Sequence, residues 1–319
     1  MKKYDVVALG ELLIDFTDNG RSGQGNPVFE ANPGGAPCNV LAMLRKLGKD
    51  VAFIGKVGCD GFGKQLADVL VETGIATEGL KWDEYVHTTL AVVHTLPGGD
   101  RDFSFYRNPG ADMMLTEAEL PLQMLENCRV FHFGTLSMTH EMVRKATLRA
   151  IEVAKNNGAL ISFDPNLRPP LWESLDAAAE QIDKGLSLCD ILKIADNEIE
   201  FMTGETDFDK GAAILQERYP NIKILNVTAG AEGSYSYSCG HKVFVPGFRL
   251  GGTIETTGAG DTFCASVLGF VLENGVEDLS EAQLTEMLRF ANAAAYLVTT
   301  KKGALRVMPE KTEVEQILR

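Results

Sequence analysis

Pro37-Cys38-Asn39-Val40-Leu41-Ala42-Met43-Leu44-Arg45-Lys46-Leu47-Gly48-Lys49-Asp50-Val51-Ala52-Phe53-Ile54-Gly55-Lys56-Val57 changes its hydrophobic period midway. In the first half Val40, Leu44 and Leu47 share one face of a helix; Pro37 suits its first turn and Gly48 its stop. In the second half Val51 to Val57 is a short aliphatic run of strand type. Asp5 to Leu9 reads as another such strand, and Lys64 to Thr73 as another such helix, with Leu66, Val69 and Leu70 inward. Strand runs return at Val130 to Phe133, Ala159 to Phe163, Ile191 to Ile194 and Ile222 to Val227, with helices near 141–156, 174–188 and 207–218. Short apolar strands alternating with helices predict an α/β fold, a mostly parallel sheet covered on both faces.

Two stretches break the rhythm. Thr88 to Leu96 and Asp102 to Arg107 are strand-like around the turn Pro97-Gly98-Gly99-Asp100, and residues 12–32 lack a helical period. They read as a small β lid, in segments near 12–32 and 86–110 of a single domain spanning 1–319; a pair of surface hairpins is the plainer alternative. A further hairpin, Tyr235 to Tyr237 and Val243 to Val245 around Cys239-Gly240, carries no evident chemistry.

Composition narrows the class. The 319 residues are 45% hydrophobic and 23% charged, as in an ordinary soluble enzyme. No stretch approaches the ~18 consecutive apolar residues of a membrane helix. The first apolar run breaks at Gly10-Glu11, too early for a signal-peptide core, so a cytoplasmic location is expected. None of the six cysteines forms C-x-x-C, and His140-Glu141 lacks the second histidine of a zinc helix because Arg144 stands there. A net charge of −14 argues against nucleic acid or an anionic membrane surface as partner.

Thr256-Thr257-Gly258-Ala259-Gly260-Asp261-Thr262-Phe263 carries the chemistry. Two glycines let backbone N–H groups converge, and Phe263, Val267, Phe270 and Val271 then recur at helical spacing, so the loop opens a helix where an anion is favoured. An acid in such a loop makes sense if Asp261 must take a proton from a hydroxyl attacking the anion. The plainer alternative is that Asp261 only caps the helix.

This segment, with Gly34-Gly35-Ala36-Pro37-Cys38-Asn39-Val40 and Gly58-Cys59-Asp60-Gly61-Phe62-Gly63, resembles the two signatures of the ribokinase-like (PfkB) carbohydrate kinase family. The resemblance runs from Gly10-Glu11 to Lys302-Gly303-Ala304. It implies a three-layer α/β/α sandwich with a β lid, and transfer of the ATP γ-phosphoryl group to a sugar primary hydroxyl. Asp261 matches the base, and the N–H groups of Gly258, Ala259 and Gly260 match the anion hole. Asp15, Gly34, Gly35 and Asn39 match sugar contacts, while Arg107 and Arg168 lie in motifs resembling those of fructokinases. Asn197 and Glu200 match the N-x-x-E motif that organises Mg²⁺ and phosphate. Thr228, Gly230 and Gly233 match the phosphate and ribose loop, and Asn292 a position beside adenine. Glu255 stands where the family usually has Asp; with Thr257 and Gly303 it matches a monovalent-cation (K⁺) site. Gly58 to Lys64 fits G-x-x-x-x-G-K, but Gln65 replaces the hydroxyl a P-loop needs for Mg²⁺.

Fructose is the expected acceptor. A 2-keto-3-deoxygluconate kinase is the alternative, since two arginines could serve a carboxylate, and a non-catalytic sugar-binding protein is the second. Exposed lid edges suggest a homodimer through the lids.

Overall fold

A computed structural model describes residues 2–95 and 101–319; Leu96 and the turn Pro97-Gly98-Gly99-Asp100 lie outside the described residues. The chain opens with β1 (Tyr4–Leu9), β2 (Leu13–Arg21) and β3 (Pro27–Gly34). It continues through α1 (Ala36–Lys46), β4 (Val51–Gly58), α2 (Gly61–Glu72), β5 (Ala76–Asp83), β6 (Leu90–Thr95) and β7 (Arg101–Tyr106). After the short α3 (Leu122–Glu126) come β8 (Cys128–Gly134), α4 (Glu141–Asn156), β9 (Leu160–Asp164), α5 (Leu175–Leu188) and β10 (Ile191–Ala195). Next are α6 (Asp196–Thr203), α7 (Phe208–Arg218), β11 (Ile224–Thr228), β12 (Gly233–Ser238) and β13 (His241–Pro246). Helices α8 (Ala259–Asn274), α9 (Glu281–Thr299) and α10 (Lys311–Leu318) follow.

The main sheet runs β13-β12-β11-β10-β9-β8-β1-β4-β5. Its strands are parallel from β5 to β11, and the hairpin β12–β13 extends one edge antiparallel. Successive side chains of a strand point to opposite faces, and β1 shows the consequence. Val6 and Ala8 pack with α1, α8 and α9, whereas Val7 and Leu9 pack with α3, α4 and α5. Two cores sandwich the sheet, giving the three layers. Phe133 and Phe163, fully buried with centroids 4.7 Å apart, sit in the second core; burying each stabilises by about 2–3 kcal/mol.

The two segments that broke the alternation join in one second sheet, ordered β3-β2-β6-β7. β2 pairs antiparallel with β3 and parallel with β6, which pairs antiparallel with β7. The step from this sheet into α1 turns on Gly35, at φ 121°, where a Cβ would stand 2.4 Å from the carbonyl oxygen of Glu11. Only glycine fits that close approach. β5, which the hydrophobic pattern did not announce, is an edge strand carrying Glu78, Lys81 and Asp83. No helix among the described residues is long and apolar enough to cross a membrane.

Candidate active site

The ends of β1, β9 and β10 meet the starts of α1 and α8 around a cavity of about 330 Å³. Open parallel sheets place ligands at such carboxyl ends. Glu11, Asp15, Asn39, Arg168, Lys193 and Asp261 line it, with backbone from Gly35, Thr257, Gly258 and Gly260. Leu13 and Phe105 reach it from the second sheet. A wider groove of about 510 Å³ between α8, α9 and α10 holds none of the expected site residues; size alone does not make chemistry.

Asp261 is the third residue of α8, whose N-cap Gly258 is left-handed at φ 79°. Asn39 Nδ2, on α1, donates to Asp261 Oδ2 at 2.8 Å. Asn39 Oδ1 is buried without a partner among the described residues, which suits a substrate hydroxyl as donor. Burial pushes the Asp261 carboxyl up to about 6; Asn39 opposes this, Asp164 adds to it, and Lys193 and Arg168 oppose it. The Ala259 N–H donates to Thr256 O at 3.3 Å. Gly260 lies in the first turn, where a helix leaves its N–H groups without intrahelical partners.

Glu11, Asp164 and Lys193 were not singled out from the sequence. Glu11 is buried, its Oε1 accepts the Ala36 N–H at 2.8 Å, and burial raises its pKa to about 7. Lys193 Nζ lies 3.1 Å from Asp164 Oδ1, and both side chains are buried. The available signal was a lysine inside the aliphatic run Ile191-Leu192-Lys193-Ile194, a residue type rarely buried without a partner.

Of the expected sugar contacts, Asp15, Gly35, Asn39 and Arg168 meet at the cavity. Gly34, paired with Leu13 in the second sheet, adjoins it. Arg107 is not brought there: its Nε donates to Asp112 Oδ2 at 2.8 Å, Nη1 to Thr139 Oγ1 at 2.9 Å and Nη2 to Leu136 O at 2.9 Å. The guanidinium is spent inside the protein.

The expected nucleotide residues stand beside the cavity rather than in it. Thr228 ends β11, next to β10 in the sheet, and Gly230 and Gly233 shape the following turn. Asn197 and Glu200 are exposed on α6. Asn292 is committed to the edge hairpin: its Oδ1 accepts from Ser234 Oγ at 2.9 Å, and its Nδ2 donates to Val245 O at 3.0 Å. Glu255, Thr257 and Gly303 line a smaller cavity with Asp15 and Asn32, where the Gly303 N–H donates to Glu255 Oε1 at 3.0 Å. Asp15, Thr17, Asn32, Glu255 and Thr257 bring oxygen atoms, the ligands of hard cations, to a lining that Pro33, Val93 and Ala304 otherwise make apolar. No cluster of three His, Cys, Asp or Glu stands ready for a metal among the described residues. A Mg²⁺ here would be one held mainly by substrate phosphates.

A buried carboxylate facing a glycine-rich helix start, at the strand ends of a parallel sheet, defines an α/β enzyme with a cleft for an anion and a hydroxyl. The model of the pfkB family of carbohydrate kinases matches residues 3–311. Fructokinase-2 of Solanum lycopersicum is 42% identical over 316 residues, covering 98% of this chain and 96% of that protein. The crystal structure of a Xylella fastidiosa fructokinase with bound ATP superposes with a TM-score of 0.90 at 30% identity, covering 100% of this chain and 98% of that one. A double mutant of the Vibrio cholerae O395 fructokinase, in its fructose-, ADP- and potassium-bound form, gives 0.87 at 26% identity with full coverage of both chains. The chain belongs to the pfkB family of carbohydrate kinases.

Proposed function

We propose that this chain transfers the γ-phosphoryl group of ATP to the primary hydroxyl of D-fructose, giving fructose 6-phosphate. The observation that carries the reading is Asp261, buried at a cavity wall, held by Asn39 and set into the glycine turn that opens α8. Full-length similarity to fructokinases supports the acceptor. Asp261 takes the hydroxyl proton as the oxygen attacks, and the N–H groups of Gly258 and Gly260 face the developing negative charge, joined by that of Ala259 once it leaves Thr256 O. Asp15, Asn39 and Arg168 orient the sugar, with Gly34 and Gly35 letting it approach the backbone. Phosphoryl transfer is mostly positioning and charge stabilisation, and these groups supply both.

ATP lies over the ends of β10 and β11, with Thr228, Gly230 and Gly233 at its phosphates and ribose and Asn292 beside its base, bracing the edge hairpin there rather than bonding the base. Asn197 and Glu200 would serve a Mg²⁺ bound to the triphosphate, which would supply charge neutralisation there. Glu255, Thr257 and Gly303 would hold a K⁺ ion beside the glycine turn. The second sheet, a lid on a single domain, closes over the sugar and excludes water as a competing acceptor. Six unpaired cysteines fit a cytoplasmic setting. The committed Arg107 disfavours an acidic sugar, because the second cation expected for a carboxylate is already paired with Asp112.

The test is ADP formation with Mg²⁺ and fructose, 2-keto-3-deoxygluconate, ribose, glucose or adenosine. Fructose-dependent turnover is expected. Turnover with the keto-deoxy acid alone would replace the acceptor but keep the chemistry; turnover with none would point to a binding protein.

A further inference from the structure

A lysine in the middle of the β10 run Ile191-Leu192-Lys193-Ile194-Ala195 is costly unless something answers its charge. Asp164 answers part of it, with Oδ1 3.1 Å from Nζ. Among the described residues that oxygen is the one hydrogen-bond acceptor of the ammonium, which carries three N–H donors. What remains of Lys193 opens on the cavity that also holds Asp261 and the glycine turn. A Cβ at Gly260 would stand 3.2 Å from Nζ, so the ammonium lies directly against the turn and a side chain there would crowd it. A counter-ion for Asp164 alone would need neither the reach to α8 nor the unused donors. Burial works against the charge, but Asp164, Glu198 and Asp261 more than offset it and hold the Lys193 pKa above its ordinary value.

We propose that Lys193 is a second catalytic residue, donating its remaining N–H groups to a non-bridging oxygen of the phosphoryl group in flight; this rests on the kinase reading above. In that step the bond from the acceptor oxygen to phosphorus forms as the bond from phosphorus to the β,γ-bridging oxygen breaks. The hydroxyl proton passes to Asp261, and ADP leaves with the bridging electron pair. A fixed cation in a site shielded from water stabilises such charge without reorganising.

The test compares wild type, Lys193→Met and the double variant Lys193→Met with Asp164→Asn, which removes the carboxylate bonded directly to Lys193 if the single variant fails to fold. Turnover with fructose is followed to about pH 9, well above the Asp261 limb. The plateau kcat of both variants is expected to fall by about 10²–10³-fold, with KM for fructose within about threefold of wild type. If Lys193 merely tunes Asp261, the acid limb moves but the plateau returns to within about threefold of wild type at high pH; that result, or a double variant as fast as wild type, overturns the proposal. If wild type prefers another sugar, the acceptor assignment falls and the same comparison with that sugar still decides for or against Lys193. A wild type that phosphorylates no sugar overturns the kinase reading and this role together.

Discussion

Asp261 must be ionised to accept a proton, yet the burial that shields it from water favours its protonated form. The folded carboxyl is pushed up to about 6 against an ordinary 3.8. The folded state therefore binds this proton more tightly than the unfolded chain. Stability falls as pH rises from about 4 to about 6, and at neutral pH the ionised carboxylate costs up to about 3 kcal/mol. Two results follow from one group. kcat/KM should show an acid limb near pH 6, with activity lost below it. Asp261→Asn should lower kcat by about 10²–10⁴-fold while raising the melting temperature at pH 7.5. The structure excludes a capping role, because Gly258 is the N-cap and the Asp261 carboxylate accepts from Asn39; a less stable variant would mean that this hydrogen bond outweighs the cost of burial. The sequence showed this residue because a lone acid in a glycine turn before a helix is conspicuous. Lys193 left only the mark of a lysine inside an aliphatic run, and Glu11 left none, because their importance lies in which strand ends converge, and no spacing along the chain reports that.

Elements were more legible than their attachments. Helix and strand periods located α1, α2 and most of the parallel strands, since burial on one or both faces writes itself into spacing. β5 escaped because an edge strand needs no continuous apolar run. The attachment of the second sheet escaped as well. Thr89, just before β6, donates from Oγ1 to Asp112 Oδ1 at 2.5 Å, and Arg107, just after β7, pairs with the other oxygen of Asp112. Both roots of the β6–β7 hairpin are thus tied to one buried carboxylate. Arg107 and Asp112 are five residues apart across a turn, and periodicity cannot tell such a pair from an arginine aimed at substrate. Asp112→Ala leaves the Arg107 charge buried and unanswered and should cost about 3–5 kcal/mol in urea unfolding. Lys145→Ala, which opens the exposed pair with Glu141, should leave the urea midpoint unchanged. Equal effects would mean that Asp112 is not what anchors the hairpin.

At the scale of the whole molecule, the two signature segments meet because α1 and α8 pack side by side on one face of the sheet, so that Asn39 reaches Asp261 across 222 residues of sequence. Their order in the sequence was visible; the hydrogen bond joining them was not. The same architecture leaves β3 and β7 as the edges of the second sheet. On β3, Val28 and Phe29 are exposed, Phe29 at 42%. Gln65 Nε2 of α2 caps the Ala31 carbonyl on this edge, and the stretch around Phe29 is the part that another strand would cover. Leu13 and Phe105 of that sheet line the cavity, so a partner stiffening it would also shape the sugar site. Pairing of lids between two copies satisfies both conditions. Sedimentation equilibrium at micromolar concentration should then give twice the chain mass of 34.7 kDa. Phe29→Asp should return the single-chain mass and raise KM for fructose while leaving KM for ATP unchanged, because the residues expected to meet the nucleotide lie on β11, the turn after it, β12, α6 and α9, outside the second sheet. A wild type that sediments as one chain would remove the lid pair. A Phe29→Asp variant that remains dimeric would place the contact elsewhere.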